Sequence, residues 1–178
     1  PSGVGKGTIV KRILDKYSDV WLSISATTRK PRQGEIDKKH YLFLDEKEFK
    51  KIIDRGGFLE WASFANNFYG TPKDVVKEKI EKGINVLLEI ELEGARQVRK
   101  SFPQGLQIFL APPNLSELEK RIRGRGTESE KSIRKRLAIA KKELIAKQEF
   151  DAVIINEDID NAFSEIERLM GLNQSINH

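Results

Sequence analysis

The chain has 178 residues, 38% hydrophobic and 33% charged, which is enough for one domain, or one domain with a small insertion, around a sizeable core. It has no apolar run near the roughly 20 residues of a membrane span, no basic-then-apolar leader that would predict secretion, and no cysteine for disulfides or thiolate metal sites. The net charge of +5 suits an anionic ligand, although an ordinary solvated surface gives the same total. These features predict a globular protein of the cytoplasm.

Short apolar runs alternate with amphipathic stretches along the chain. The runs rich in β-branched residues predict strands buried on both faces, as in a parallel sheet, at 20–25, 84–90, 106–110 and 152–155. Strands that alternate with helices predict the α/β class, with a doubly wound parallel sheet.

Helix signals lie between these runs. Thr71 and Pro72 have the pattern of an N-cap and a first helical residue, opening a helix that closes at Gly83. The longest helical pattern covers 131–148. Capping-box spacings indicate two further helix starts, Asp45 with Glu48 and Asn114 with Glu117.

Residues 30–70 interrupt this alternation and hold most of the aromatic side chains. The segments 41–44 and 58–62 predict short strands around a helix, and 68–70 predicts an irregular or edge strand. A small mixed insertion in the doubly wound domain is therefore expected.

The first eight residues form a glycine-rich loop that opens a helix: Pro1-Ser2-Gly3-Val4-Gly5-Lys6-Gly7-Thr8. Inward-facing backbone N–H groups, the helix N-terminus and the Lys6 charge together make a cradle for a nucleoside triphosphate. The full phosphate-loop pattern would begin before Pro1, so the first core strand is expected to be absent from this sequence. Gly7 occupies the position where a Ser or Thr binds Mg²⁺, and Thr8 is the nearest hydroxyl that could substitute.

A basic loop follows the predicted strand at 20–25. Arg29 and Arg32, three residues apart and stiffened by Pro31, can fork onto one phosphate. Tyr41 and Tyr69 could add hydroxyl donors. A solvated basic loop remains the simpler alternative.

Carboxylates lie in or at the end of two of the predicted strands. Glu60 lies in one strand, and Glu89 and Glu91 lie at the carboxyl end of another, where ligands bind in doubly wound folds. Glu89 and Glu91 share a face if their strand continues through Ile90. A carboxylate matches the ring N–H and exocyclic amine of guanine; alternatively Glu89 holds Mg²⁺ through water, or these are simple strand-end charges.

Arginines cluster between the last two long helical patterns. The stretch 121–128 contains Arg121, Arg123 and Arg125 together with Gly124 and Gly126, and Arg136 lies on the next helix. An Arg/Gly loop between helices suits a mobile lid over a transferring phosphoryl group. A nucleic-acid patch or an exposed helix face is the alternative, and the lack of aromatic residues that stack bases weighs against the nucleic-acid patch.

In order and spacing, these four signals closely resemble the guanylate kinases, within the nucleoside monophosphate kinases, from Pro1 to about Gly171. The Lys6-Gly7-Thr8 ending is similar to the bacterial form of the ATP loop. The family often has Asp-Ile-Asp where this chain has Glu89-Ile90-Glu91, which keeps the charge and lengthens each side chain.

The resemblance implies a role for each matching residue. The GMP phosphate would be held by Arg29, Arg32, Tyr41 and Tyr69. The guanine would be read by Ser25, Glu60, Thr71 and Glu91. The transferring phosphoryl would be stabilised by Lys6, Arg29, Arg121, Arg125 and Arg136. ATP would lie on residues 1–8 with Asn156 near the adenine, and Mg²⁺ would be bound near Thr8 and Glu89.

The resemblance also implies a P-loop kinase core at 1–28 and 72–178, a lid at about 114–140 and a GMP-binding insertion at 29–71. Lid and insertion are expected to close on ATP and GMP to exclude water. The expected state is a monomer or homodimer that binds neither nucleic acid nor membrane. The alternative is an inactive guanylate-kinase-like module that binds protein partners.

Overall fold

A computed structural model describes residues 1–172, which fold into seven α-helices and eight strands. The helices are α1 (Lys6–Lys16), α2 (Glu46–Asp54), α3 (Lys73–Glu81), α4 (Leu92–Ser101), α5 (Leu115–Arg123), α6 (Glu130–Ile145) and α7 (Ile159–Leu169). The strands are β1 (Val20–Leu22), β2 (Ala26–Thr27), β3 (Leu42–Phe43), β4 (Phe58–Phe64), β5 (Asn67–Pro72), β6 (Asn85–Leu87), β7 (Ile108–Ala111) and β8 (Ala152–Ile155).

The chain divides into two compact units. The first unit contains Pro1–Ile13 and the described residues from Leu106 onward, and the second contains Leu14–Gly105. Residues 173–178 of the predicted core domain lie outside the described part of the chain. No helix within 1–172 is long and apolar enough to cross a membrane.

The second unit contains a four-stranded mixed sheet in the order β3-β2-β5-β4. β5 pairs antiparallel with β2 and with β4, so the prediction of an edge strand at 68–70 is wrong. Behind this sheet, Phe49 of α2 is fully buried against Phe58, with ring centroids 4.5 Å apart, and stacks on Phe68 at 5.4 Å. α2 is placed by the predicted capping box of Asp45 and Glu48, in which both hydrogen bonds are formed.

The β4–β5 hairpin turns at Ala65 and Asn66, and both residues have positive φ, 49° and 64°. Such a two-residue turn matches the right-handed twist of the flanking strands. It places Phe64 opposite Asn67 and, further along, Glu60 opposite Thr71. The hairpin register therefore decides which side chains of β4 and β5 face each other.

Two parallel pairs complete the strands, β1 with β6 in the second unit and β7 with β8 in the first. The α/β class with parallel strands is therefore confirmed. Among the described residues each parallel pair forms a separate two-stranded sheet. β1 and β6 are shorter than predicted, and β6 ends at Leu87.

The predicted helix after β5 is present, but Thr71 does not cap it. The N-cap of α3 is Pro72, which makes no side-chain capping bond, and Thr71 belongs to β5. The end of this helix is as predicted, because Gly83 follows α3 with φ of 77°.

Candidate functional site

In the first unit, residues 1–5 form a loop that leads directly into α1. Gly3 and Gly5 have φ of 83° and 94°, a conformation that side chains with a Cβ rarely adopt. Lys6 is the first residue of α1, and Thr8 lies exposed in its first turn. The first N–H groups of a helix have no partner within the helix, so this loop and helix start can bind an anion.

Asn156 fixes the loop from the end of β8. The residue is 5% exposed, and its Nδ2 donates a hydrogen bond of 2.7 Å to the carbonyl oxygen of Val4. Arg121 in turn donates from Nη2 to the carbonyl oxygen of Asn156 at 3.0 Å. A Cβ added to Gly5 would lie 2.7 Å from Asn156 Nδ2, so only glycine leaves room for this amide.

An open cleft of about 380 Å³ lies beside the loop. It is lined by Gly3, Val4, Gly5, Arg121, Arg125, Asn156, Glu157 and Ile159. The structure thus brings together the loop and three residues that the resemblance assigned to ATP or to phosphoryl transfer. Asn156 lines this cleft, and its amide also supports the loop, a role that the sequence analysis did not assign.

The predicted lid contains α5, the loop that follows it and α6. Arg136 donates from Nε to Ser2 Oγ at 3.2 Å and forms an ion pair with Glu128. Arg123 joins the two helices, because its Nη1 and Nη2 bind the carboxylate of Glu130 at 2.6 and 2.9 Å. The hydrogen bonds to Glu130, and one from Arg123 Nε to Glu119 at 2.9 Å, raise the pKa of Arg123. The acidic partners Glu128 and Glu130 were not assigned a role from the sequence.

In the second unit, Arg29 lies near Tyr41 and Tyr69, two of the residues predicted to bind the GMP phosphate with it. Its guanidinium carbon is 5.1 Å from the ring centroid of Tyr41, whose ring is 6.4 Å from that of Tyr69. Both tyrosines contribute to a raised pKa of Arg29, which Glu35 raises most. Arg32 is exposed three residues further along, and Ser25 accepts the backbone N–H of Leu42.

Glu35 is a residue that sequence reasoning missed. Its carboxylate accepts from Nη1 and Nη2 of Arg29 at 2.8 and 3.0 Å, and from the backbone N–H of Arg32 at 2.7 Å. The pKa of Glu35 falls to about 2, chiefly because of the Arg29 hydrogen bonds. The available signal was an acidic residue three positions after Arg32 in a turn that contains Gly34.

Glu60 and Thr71 face each other across β4 and β5. Thr71 is 2% exposed, and its hydroxyl donates to Glu60 Oε1 at 2.6 Å. Burial raises the pKa of Glu60, the Thr71 hydrogen bond lowers it and the charge of Glu91 raises it. A Cβ on Gly94, near the start of α4, would lie 3.3 Å from Glu60 Oε2. The Glu60 carboxylate is therefore held in one position, and its hydrogen-bond partner is the Thr71 hydroxyl.

The predicted relation between Glu89 and Glu91 does not occur. β6 ends at Leu87, and Glu91 is the N-cap of α4, so the two carboxylates are not alternate residues of one strand. Both side chains belong to exposed residues. Residues 88–91 belong to neither β6 nor α4, and the apolar pattern did not reveal the helix that begins at Leu92.

Within 1–172, no group of three His, Cys, Asp or Glu side chains could hold a metal ion. The nearest fit to Mg²⁺ is the exposed hydroxyl of Thr8 at the start of α1. Because Mg²⁺ commonly keeps several waters and binds through substrate phosphates, one protein oxygen is compatible with it.

A glycine-rich loop at the start of a helix, in an α/β chain with parallel strands, defines a P-loop protein. The family model described as Guanylate kinase matches residues 1–172. A guanylate kinase of Prochlorococcus marinus (strain NATL2A) is 77% identical over 172 residues, covering 97% of this chain and 92% of the relative. One of Synechococcus sp. (strain CC9311) is 60% identical, covering 97% and 90%.

A solved structure gives the same result. The crystal structure of guanylate kinase from Anaplasma phagocytophilum matches with a TM-score of 0.68 and 30% identity, covering 96% of this chain and 82% of that chain. The chain belongs to the guanylate kinase family, and it is a kinase.

Proposed function

We propose that the chain transfers the γ-phosphoryl group of ATP to the phosphate of GMP, giving ADP and GDP. The observation that carries this proposal is the face shared by Glu60, Tyr69 and Thr71. Glu60 is opposite Thr71 in the β4–β5 register, and Tyr69 is two residues before Thr71 on β5. Residues two apart on a strand point to the same side, roughly 7 Å apart. The pair proposed to bind the base and the tyrosine proposed to bind the phosphate therefore share one face of the hairpin.

The phosphate of GMP is held by Arg29, Arg32, Tyr41 and Tyr69 in this proposal. Arg29 and Tyr69 belong to one unit and share Tyr41 as a neighbour, with contacts of 5.1 and 6.4 Å. Guanidinium donors match phosphate oxygens in a bidentate fork, and phenolic hydroxyls add single donors. The site therefore suits a monophosphate group.

In this proposal guanine is bound by Glu60, Thr71, Ser25 and Glu91, and Thr71 and Glu91 both act on the Glu60 carboxylate. The ring N–H and exocyclic amine of guanine are adjacent donors for one carboxylate, whereas adenine presents a ring acceptor at the corresponding position. With adenine, the oxygen of the half-buried carboxylate that Thr71 does not bind would face an acceptor and lack a donor, so adenine is disfavoured.

ATP lies on residues 1–8 with Asn156, and Lys6, Arg121, Arg125 and Arg136 stabilise the charge on the transferring group. Thr8 would contact Mg²⁺, with Glu89 as a further candidate through water; the ion supplies neutralisation of the phosphate charge when bound. A GMP phosphate oxygen attacks the γ-phosphorus, the bond to the bridging oxygen of ADP breaks, and its electron pair leaves with ADP. No general base is required, because the GMP phosphate is largely ionised at neutral pH.

The test is an ADP-release assay with ATP, Mg²⁺ and each of GMP, AMP, CMP and UMP. Turnover with GMP alone is expected. Turnover with another monophosphate would overturn the roles of Glu60 and Thr71, and no turnover with any of them would overturn the reaction.

The cytoplasm, where nucleotides are held, is the compartment that this function implies. Sedimentation would measure whether the chain is a monomer or a homodimer.

A further inference from the structure

Glu60 lies next to an irregularity in β4. Phe58 is opposite Pro72 in the pairing with β5. Glu60 comes two residues later but is opposite Thr71, only one residue along β5, so β4 carries one extra residue here, a β-bulge. An extra residue reverses which face of the sheet the following side chains occupy. The bulge therefore decides the face to which the Glu60 carboxylate points.

The side chains around Gly70 show the effect of the bulge. A Cβ on Gly70 would lie 2.9 Å from Phe58 Cδ1 and 3.0 Å from Trp61 Cβ, so these two side chains, three residues apart, lie on the same face. With regular alternation, Glu60 would share that face with Phe58, which packs into the hydrophobic core behind the sheet. The bulge instead places Glu60 on the opposite face, beside Thr71.

Two side chains of α4 hold the backbone at the bulge. β4 is the outermost strand of its four-stranded sheet, and such a strand has N–H and C=O groups that no neighbouring strand binds. The Gln97 amide binds both backbone groups of Trp61, because Oε1 accepts its N–H and Nε2 donates to its carbonyl oxygen, each at 3.0 Å. Ser101 Oγ donates to the carbonyl oxygen of Leu59 at 2.6 Å. The residues before and after Glu60 are thus both held by α4.

These contacts come from one face of α4. Gly94, Gln97 and Ser101 are three and then four residues apart, a spacing that places them on one side of the helix. The same face borders the carboxylate, since a Cβ on Gly94 would lie 3.3 Å from Glu60 Oε2. Resting on the proposed function, we propose that Gln97 is a positioning residue for guanine recognition, which with Ser101 fixes the bulge so that the Glu60 carboxylate faces the base. It does not touch the nucleotide itself.

Selectivity between two purine monophosphates tests this role. Inosine monophosphate (IMP) has the ring N–H of GMP but lacks the exocyclic amine. The dissociation constant of IMP divided by that of GMP therefore reports the hydrogen bond between this amine and Glu60. Gln97→Met keeps the length of the side chain and removes both bonds to Trp61, so it is expected to lower this ratio roughly fivefold, with KM for ATP unchanged. Calorimetric titrations without ATP measure the ratio, and steady-state kinetics measure KM.

A second background shows whether Gln97 acts through Glu60. In Glu60→Ala, the further change Gln97→Met is expected to alter the ratio by no more than about twofold, because the carboxylate that Gln97 positions is gone. Ser101→Ala removes only the bond to Leu59 and is expected to lower the ratio in the same direction, which keeps the test available if Gln97→Met does not fold. Lys100→Met, at an exposed residue of the same helix, is the matched control and is expected to leave the ratio unchanged.

An unchanged ratio in Gln97→Met, with or without an equal loss of affinity for both nucleotides, would make Gln97 a general structural residue and overturn the proposal. An equal fall in the ratio with and without the Glu60 carboxylate would also overturn it. If the unaltered chain prefers GMP but does not phosphorylate it, the proposed reaction fails and the ratio still decides the role of Gln97. If the unaltered chain does not bind GMP, or binds GMP and IMP equally, the proposed guanine site and the role of Gln97 are both overturned.

Discussion

The side-chain amide of Asn156 donates a 2.7 Å hydrogen bond to the carbonyl oxygen of Val4, and both residues are buried. The bond connects the end of β8 with the loop before α1, two segments 152 residues apart in the chain. A buried carbonyl that loses its donor costs about 1–3 kcal/mol. The conformation of the loop therefore depends on a residue far from it in the sequence.

Asn156→Ala is expected to weaken the loop. The Val4 carbonyl loses its donor, so the free energy of unfolding is expected to fall by about 1–3 kcal/mol, and KM for ATP is expected to rise with KM for GMP unchanged. Urea denaturation and steady-state kinetics measure the two effects. Unchanged kinetics beside a lower stability would restrict Asn156 to a folding role.

An added methyl group would have different steric contacts at Gly5 and at Gly7. Gly5→Ala puts a Cβ 2.7 Å from Asn156 Nδ2 at a φ of 94° and is expected to destabilise the chain. Gly7→Ala meets nothing within 4 Å and lies in α1, where alanine is favoured by roughly 1 kcal/mol. Thermal melting of both variants is the measurement, and equal effects would contradict the difference between them.

Neutralising Glu60 is expected to raise the melting temperature at neutral pH and to weaken GMP binding. Burial raises the pKa of Glu60 above its unfolded value, so this group stabilises the fold at low pH and loses that contribution as pH rises through its folded pKa. Glu60→Gln is therefore expected to melt higher than the unaltered chain at neutral pH, with the difference vanishing below about pH 4.3. GMP is expected to bind more weakly to the same variant. A lower melting temperature at neutral pH would contradict the sign.

Thr71→Val tests the hydrogen bond at nearly constant volume. The Thr71 hydroxyl lowers the pKa of Glu60, so its removal is expected to raise that pKa further. The fall in GMP affinity on acidification is then expected to begin at a higher pH than in the unaltered chain. Calorimetric titrations with GMP across the acidic range provide the comparison; coincident pH profiles would remove Thr71 from the site.

Local sequence patterns predicted helices and strands more accurately than they predicted which side chains form hydrogen bonds with each other. The capping box of Asp45 and Glu48 needs only neighbours in the chain, and it formed as expected. Thr71 has the sequence features of a helix cap, yet its hydroxyl binds Glu60 eleven residues away. The choice between these partners depends on the β4–β5 register, which the spacing of apolar residues does not determine.

The same reason explains the site residues that were missed or reassigned. The anion-binding loop was predicted from local signals alone, because glycines followed by a lysine at the start of a helix are unusual elsewhere. Glu35 and Glu128 were not, because an acidic residue in a charged segment usually faces solvent, and only the fold shows that each binds an arginine. Glu91 was predicted at the carboxyl end of a strand, because the start of α4 carries no clear signal.

The two-residue turn at Ala65 and Asn66 limits which insertions this chain could tolerate. Side chains alternate between the two faces of a strand. If one residue were inserted between β4 and β5 and the strand pairing shifted to accommodate it, Tyr69 and Thr71 would lie on the face opposite Glu60. Exposed loop tips normally accept length changes freely. At this tip, a change in length would be expected to alter nucleotide selectivity without replacing any residue that contacts the nucleotide.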